Sequence, residues 1–100
     1  KDFPRAVASF EKAGELDPSL YGPYNNIGNI YFTIGNRPKA IEYYKKSLAR
    51  KPDQVDAHIN LGIAYYYDGK LKEASDEFKA VLRIDPRNEK AIVMYKKMVE

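Results

Sequence analysis

Residues 21–54, YGPYNNIGNIYFTIGNRPKAIEYYKKSLARKPDQ, decide the reading of this 100-residue chain. Within them Tyr24, Ile27, Gly28, Tyr31 and Ile34 fall three and four residues apart, the spacing that gathers side chains on one stripe of an α-helix. Gly35 then ends the helix, because glycine takes the left-handed conformation of a C-terminal cap without strain. Asn36-Arg37-Pro38 opens a second helix; proline suits the first turn, where its missing N–H has no partner to lose. Ala40, Ile41, Tyr44 and Leu48 form the second buried stripe. Lys51-Pro52 stops it, since the residue before proline avoids helical geometry.

Outward from this stretch the same features recur every 34 residues. Pro18, Pro52 and Pro86 keep that spacing, as do Ala6, Ala40 and Ala74, and Phe10, Tyr44 and Phe78. Gly28 matches Gly62, Gly35 matches Gly69, Tyr31 matches Tyr65, Ile27 matches Leu61 and Leu48 matches Leu82. Self-similarity at a period of roughly 20–50 residues marks a repeat architecture. Two full units result, 21–54 and 55–88. Half a unit precedes them (1–20, second helix only) and a half unit or capping helix follows (89–100). Expected helices are 4–16, 22–34, 38–50, 56–68, 72–84 and 90–99, and no sheet is expected. Gly28 faces Ala40 and Gly62 faces Ala74, so two backbones come close and an aromatic ring can lean into the space. The chain begins at Lys1, partway through a unit, and is expected to be a piece of a longer protein with any targeting segment outside it.

The pattern Tyr24, Ile27, Gly28, Tyr31, Gly35, Ala40, Tyr44, Ser47, Pro52 resembles the tetratricopeptide repeat (TPR) family. Its second copy reads His58, Leu61, Gly62, Tyr65, Gly69, Ala74, Phe78, Val81, Pro86. Ser47, Val81 and His58 depart from the family pattern, His58 standing where the family has Trp or another large residue. The resemblance covers the whole chain. It implies an all-α fold in which antiparallel helix-turn-helix repeats stack as a right-handed solenoid of about six helices. The first helix of each unit would line the concave side and the second the outer wall.

Repeat arrays bind through the concave surface that stacking creates. At about 100° per residue, Asn25, Asn29 and Phe32 share a face beside the core stripe of helix 22–34. One repeat on, the same row is Ile59, Ile63 and Tyr66; a further repeat on, Val93, Lys97 and Glu100. The adjoining row holds Asn26, Asn60 and Met94, with Thr33 and Tyr67 beside it and Lys90 at the rim. No charged residue occurs in the fourteen positions from Tyr21 to Ile34, whereas Arg37–Lys51 holds six basic residues and one acidic one. The expected groove is neutral, amide-rich and aromatic. Asn both donates and accepts, so it can pair with a peptide backbone of any sequence. The expected ligand is a low-charge segment of another protein with aliphatic or aromatic anchors. One TPR subgroup, the chaperone cofactors, clamps a C-terminal carboxylate pair with Lys and Asn on the first groove helix, Asn on the second, and Lys and Arg on the third. Asn29, Asn60 and Lys90 match that set, but Asn25 replaces the first Lys and Met94 the Arg. A dicarboxylate needs charge-assisted partners, so binding of Hsp70 or Hsp90 tails is not expected.

Composition sets the limits. A hydrophobic fraction of 44%, a charged fraction of 31% and thirteen aromatic residues suit a folded globular chain. With one His and no Cys, no thiolate metal site and no disulfide exist, and no nucleophile with its base is visible. No enzymatic activity and no cofactor or metal are expected of this stretch, although it could be the recognition arm of a larger enzyme. Glu73, Asp76 and Glu77 read as a solvated face beside Lys72 and Lys79. His58 reads as a packing residue with a partly wet edge. The net charge of +3 is too small to name nucleic acid as the partner, even with the basic wall on 37–51. No run of apolar residues is long enough for a membrane span, no targeting segment is visible, and the compartment is unknown. Self-association is the remaining alternative: Val7, Phe10 and Ala13 at one end, and Ile92, Tyr95 and Val99 at the other, are expected to expose apolar stripes.

Overall fold

The computed structural model describes residues 2–99, so Glu100 of the expected groove row lies outside the described residues. Among them are six α-helices and no strand: α1 (Phe3–Leu16), α2 (Gly22–Thr33), α3 (Arg37–Arg50), α4 (Val55–Tyr67), α5 (Leu71–Ile84) and α6 (Glu89–Val99). Each expected helix meets its counterpart to within one residue at either end. The chain falls into two compact units, one reaching Pro52 with α1–α3 and the other starting at Asp53 with α4–α6.

The helix ends follow from the residues that mark them. Gly35 has φ +87° and Gly69 φ +78°, the left-handed values a side chain would resist. Around Gly35, Asn36 N–H donates to the Tyr31 carbonyl at 2.8 Å and Gly35 N–H to that of Phe32 at 3.1 Å. Around Gly69, Lys70 N–H donates to Tyr65 at 2.9 Å and Gly69 N–H to Tyr66 at 3.2 Å. Both are Schellman turns, which occupy the carbonyls a helix end leaves over. At the opposite ends, Asp2 Oδ1 accepts from Arg5 N–H at 3.0 Å, Asn36 Oδ1 from Lys39 N–H at 3.1 Å and Asn88 Oδ1 from Ala91 N–H at 3.0 Å. These side chains satisfy amides that have no partner inside the helix.

In the first unit Tyr24, Ile27 and Tyr43 form the centre, with Val7, Phe10 and Tyr31 half-buried against them. The Tyr31 and Tyr43 rings stack at 5.7 Å. Tyr44 is almost fully buried and packs against Gly28, where a Cβ would stand 2.6 Å from the ring. Ser47, a departure from the family pattern, is wholly buried and donates its hydroxyl to the Tyr21 carbonyl at 2.9 Å. In the second unit Ile59, Phe78, Val81 and Ala91 form the centre, joined by Met94, Tyr95 and Met98 of α6. Phe78 repeats the role of Tyr44: a Cβ on Gly62 would stand 2.8 Å from its ring. Full burial of one such ring stabilises the fold by about 1.5–3 kcal/mol.

Arg50 ties the end of α1 to α3. Its Nη1 donates to the carbonyls of Gly14 at 2.6 Å, Leu20 at 2.8 Å and Asp17 at 3.2 Å, and its Nη2 to the Tyr24 hydroxyl at 3.2 Å. The guanidinium also lies 4.5 Å from the centre of the Tyr24 ring. Beneath it Gly14 is buried, a Cβ there coming within 2.9 Å of Tyr24.

Three expectations need correction. Ile34 does not join the α2 stripe but is 49% exposed, because the helix closes at Thr33 and Ile34 sits in the turn. It lines a cleft of about 300 Å³ with Phe3, Val7, Ile30 and Tyr31. Glu77 is not part of a solvated face: its Oε1 is 2.7 Å from His58 Nδ1, and the two side chains are mostly buried. Lys72 and Asp76 do form an exposed pair at 3.2 Å, one helical turn apart. The stripes expected to stand open at both ends are largely half-buried, since Val7 and Phe10 pack on Tyr24, and Tyr95 on the second core; Val99 alone among the six is exposed.

Candidate peptide-binding surfaces

In the first unit the expected site residues lie on α2. Asn26, Asn29 and Thr33 are exposed, while Asn25 and Phe32 are half-buried. Two of these side chains are already used internally. Tyr44 donates its hydroxyl to Asn29 Oδ1 at 2.6 Å, and Thr33 donates its own to the Asn29 backbone carbonyl at 2.8 Å. Asn29 is therefore held by its own hairpin, and the Thr33 hydroxyl is turned back along α2.

Burial pushes the Tyr44 phenol up to about 12, since an ionised ring oxygen would have to give up water. The sign of the linkage follows. A group whose acid form is favoured by folding contributes stability fully below the unfolded value near 10, and that contribution disappears as pH rises through about 12. Alkaline unfolding followed by circular dichroism is expected to begin between these values. A Tyr44→Phe chain, less stable at neutral pH for want of the Asn29 bond, should show a shallower loss across the same window. Equal slopes in the two chains would sink the assignment. Tyr43 is raised as well, first by burial and then by the hydroxyl bond it donates to Glu11.

In the second unit the site residues come from α4 and α6. Ile59 is not in an open groove: it is 9% exposed and packs on Phe78, Val81 and Ala91. The reason is local. Ile59 lies one turn from both Val55 and Ile63, and all three apolar side chains of α4 turn toward the core that α5 and α6 complete. The signal was available, since Asn25 becomes Ile at this register while Asn26 stays Asn. Ile63 and Met94 are half-buried against the same core, and Asn60 is half-buried. What stands open is aromatic and aliphatic. Tyr67 and Val93 are each 61% exposed. The Tyr66 and Tyr67 rings meet edge to face at 5.5 Å, and Lys97 Nζ from α6 lies 5.9 Å from the centre of Tyr66. Lys90 and Lys97 are exposed on α6.

The basic wall on α3 is engaged within its own unit. Lys46 lies 4.6 Å from the Tyr43 ring centre and 3.8 Å from Glu42, Lys51 lies 5.0 Å from the Tyr21 ring, and Arg50 is spent on carbonyls. Sequence reasoning missed the Arg50 contacts and the His58–Glu77 pair. Arg50 did carry a signal, because its register equivalents are Leu16 and Ile84. Among the described residues no group of three His, Cys, Asp or Glu is placed to hold a metal, and no helix is long and apolar enough to cross a membrane.

Comparison with known proteins agrees with this geometry. A protein STIP1 homolog of Dictyostelium discoideum is 34% identical over 89 residues, which is 89% of this chain and 16% of its own length. A UDP-N-acetylglucosamine–peptide N-acetylglucosaminyltransferase of Giardia intestinalis is 28% identical over 90% of this chain and 6% of its own. The chain thus spans a small part of either relative. The first TPR domain of Spaghetti (RPAP3), solved with the HSP90 peptide SRMEEVD, superposes with a TM-score of 0.88 at 23% identity, over 97% of this chain and 77% of that one. The likeness is one of fold: an all-α array of helix-turn-helix repeats. Residues 28–69 match the family model described as TPR repeat and residues 55–88 that described as tetratricopeptide repeat. On its 34-residue period, its paired helices and these two matches, the chain belongs to the tetratricopeptide repeat family.

Proposed function

We propose that this chain is a protein-interaction module that holds low-charge polypeptide on the open face of α2 in its first unit and on those of α4 and α6 in its second. The observation that carries the reading is in the second unit, where the Tyr66 and Tyr67 rings meet on α4, Lys97 lies over the Tyr66 ring, and Val93 stands exposed on α6. Aromatic rings with a polar edge bind apolar side chains while tolerating water around them. On α2, Asn25, Asn26 and Asn29 bring amide groups and Phe32 a half-buried ring, with no charge among them. On α4 of the second unit, Asn60 and Ile63 add a half-buried amide and a half-buried aliphatic side chain. At two sequence positions where the chaperone cofactors carry cations, which suit a carboxylate-rich tail such as the SRMEEVD held by the RPAP3 domain, this chain has Asn25 and Met94.

The test uses fluorescence anisotropy with three probes: SRMEEVD, an uncharged peptide with aliphatic and aromatic anchors, and the same peptide with its anchors replaced by Ser. The anchored neutral peptide is expected to bind at least about tenfold more tightly than either other probe. Tyr66→Ala with Asn60→Ala should abolish that binding while leaving the helical circular dichroism unchanged. Tighter binding of SRMEEVD would sink the low-charge reading, and unchanged binding by the double variant would sink the surface assignment. A second reading is favoured by the length comparison. In the Giardia relative, a transferase by name, this chain matches a small fraction of the length, so the module fits the role of a recognition arm in a longer protein.

A further inference from the structure

Seven aspartates and six asparagines occur in this chain, and one of them, Asp68, is followed by glycine. The succession matters because of a ring that an aspartate can close. The next main-chain nitrogen can reach the side-chain carboxyl carbon and complete a five-membered cycle. A side chain on the following residue crowds that approach, and a following proline has no N–H to give up. Asp17 and Asp85 precede proline, the others precede residues with side chains, and Gly69 offers no crowding.

The pair lies in the turn that joins α4 to α5. Asp68 is half-buried, and Gly69 is exposed at φ +78°, with open space where a side chain would project. The Gly69 N–H donates to the Tyr66 carbonyl at 3.2 Å, and the Lys70 N–H to that of Tyr65 at 2.9 Å. Both bonds belong to a helix end, where local opening costs little free energy. Each opening lets the Gly69 nitrogen turn toward the Asp68 side chain. The matching turn of the first unit, at Gly35, has Ile34 in place of the aspartate and no such chemistry open to it.

We propose that the Asp68–Gly69 linkage is a site of spontaneous main-chain isomerisation, and that its product undoes the turn between α4 and α5. The Gly69 nitrogen attacks the Asp68 carboxyl carbon. A C–N bond forms, and the amide hydrogen leaves with the carboxyl OH as water, giving a cyclic imide. Water then adds at either imide carbonyl. Cleavage of the new C–N bond restores aspartate. Cleavage of the original one leaves the chain running through the side-chain carbon, with the old main-chain carbonyl as a free carboxylate. One water leaves and one returns, so mass and oxidation state are unchanged. The β-linked product has one more carbon in its main chain, inserted under the two bonds that Gly69 and Lys70 donate. Those bonds lose their register, and the last turn of α4, which carries Tyr66 and Tyr67, loses its cap.

Three chains held at neutral pH and body temperature for several weeks test this: wild type, Asp68→Glu and Gly69→Asn. The longer glutamate side chain would need a larger ring. Asparagine tolerates the left-handed conformation but crowds its own nitrogen. Isoaspartate is labelled with an isoaspartyl methyltransferase and located by peptide mass spectrometry, with the fold followed by circular dichroism. In wild type the label should gather at Asp68, at least about tenfold above any other Asp or Asn. Gly69→Asn should slow its appearance by a similar factor, and Asp68→Glu should remove it from this position. Isomerised chain, separated by chromatography, should exchange the amide hydrogens of Gly69 and Lys70 faster than fresh chain. No label at Asp68 in the folded chain, or earlier label elsewhere, overturns the site. An unchanged rate in Gly69→Asn overturns the steric argument, and unaltered exchange in the isomerised chain overturns the loss of the turn.

Discussion

Replacing Phe78 with Ala is expected to lower the unfolding free energy by about 3–5 kcal/mol, the range for deleting a buried aromatic ring and leaving its cavity. Phe78 has no exposed surface and sits at the centre of the second core, touching α4 and supporting Ala91 and its neighbours on α6. A domain of this size has about 5–15 kcal/mol in total, so the variant would be close to unfolding at room temperature. Gly62→Leu attacks the same contact from the other side, pushing carbon into a ring already within 2.8 Å of where a Cβ would stand, and should cost about 1–3 kcal/mol or more. The informative measurement is the pair together. In Gly62→Leu with Phe78→Ala, the leucine enters the space the ring has left. The double variant should therefore be more stable than the sum of the two losses by about 0.5–3 kcal/mol. Urea unfolding of the four chains decides the matter, and simple additivity would mean that Gly62 is not there to receive the ring.

Arg50→Ala is expected to cost about 2–3 kcal/mol, because hydrogen bonds to a charged group are each worth more than neutral ones and three carbonyls lose their donor together. The carbonyls of Gly14, Asp17 and Leu20 lie at and just beyond the end of α1, where a helix has acceptors to spare and a negative dipole end. A planar, forked cation fits that cluster while stacking on Tyr24. Lys keeps the charge but not the fork, so Arg50→Lys should recover only part of the loss. The effect should be local: native-state hydrogen exchange should show faster exchange in the last turn of α1 and the turn through Leu20, with the second unit unaffected. An Arg50→Ala chain with the wild-type urea midpoint would show that these bonds form without stabilising anything.

The helices were legible because their boundaries are written in residues with one conformational meaning each. Gly35 and Gly69 demand positive φ, Pro38 and Pro4 mark first turns, and the prolines at 18, 52 and 86 mark stops. The glycine-to-ring contacts were legible in kind, since small residues recur opposite aromatic ones at a fixed register. The candidate surface was less so. Periodicity gives the direction of a side chain from its helix axis, but not how much of that direction a neighbouring helix covers. Ile59 shows this: expected in an open row, it is covered by α5 and α6, while Tyr67, Val93 and Lys97 of the same unit stand exposed. Asn29 shows a second limit, because its hydrogen bond to Tyr44 links residues of two helices and leaves no mark in either one's periodicity. Arg50 and His58 were invisible to the repeat for the opposite reason. Each is a departure from it, and a departure announces that something differs without saying what it touches.

The pairing of each ring with a glycine only sixteen residues earlier governs how quickly this chain finds its structure (44 − 28 and 78 − 62). Closing so short a loop takes little entropy, and chains rich in such local encounters reach their native state in about microseconds to milliseconds. Either helical pair, α2 with α3 or α4 with α5, can serve as the starting nucleus, since neither waits for a distant segment to arrive. Mutations that weaken one nucleus should divert the flow of molecules to the other, so the observed refolding rate falls less than the lost stability implies.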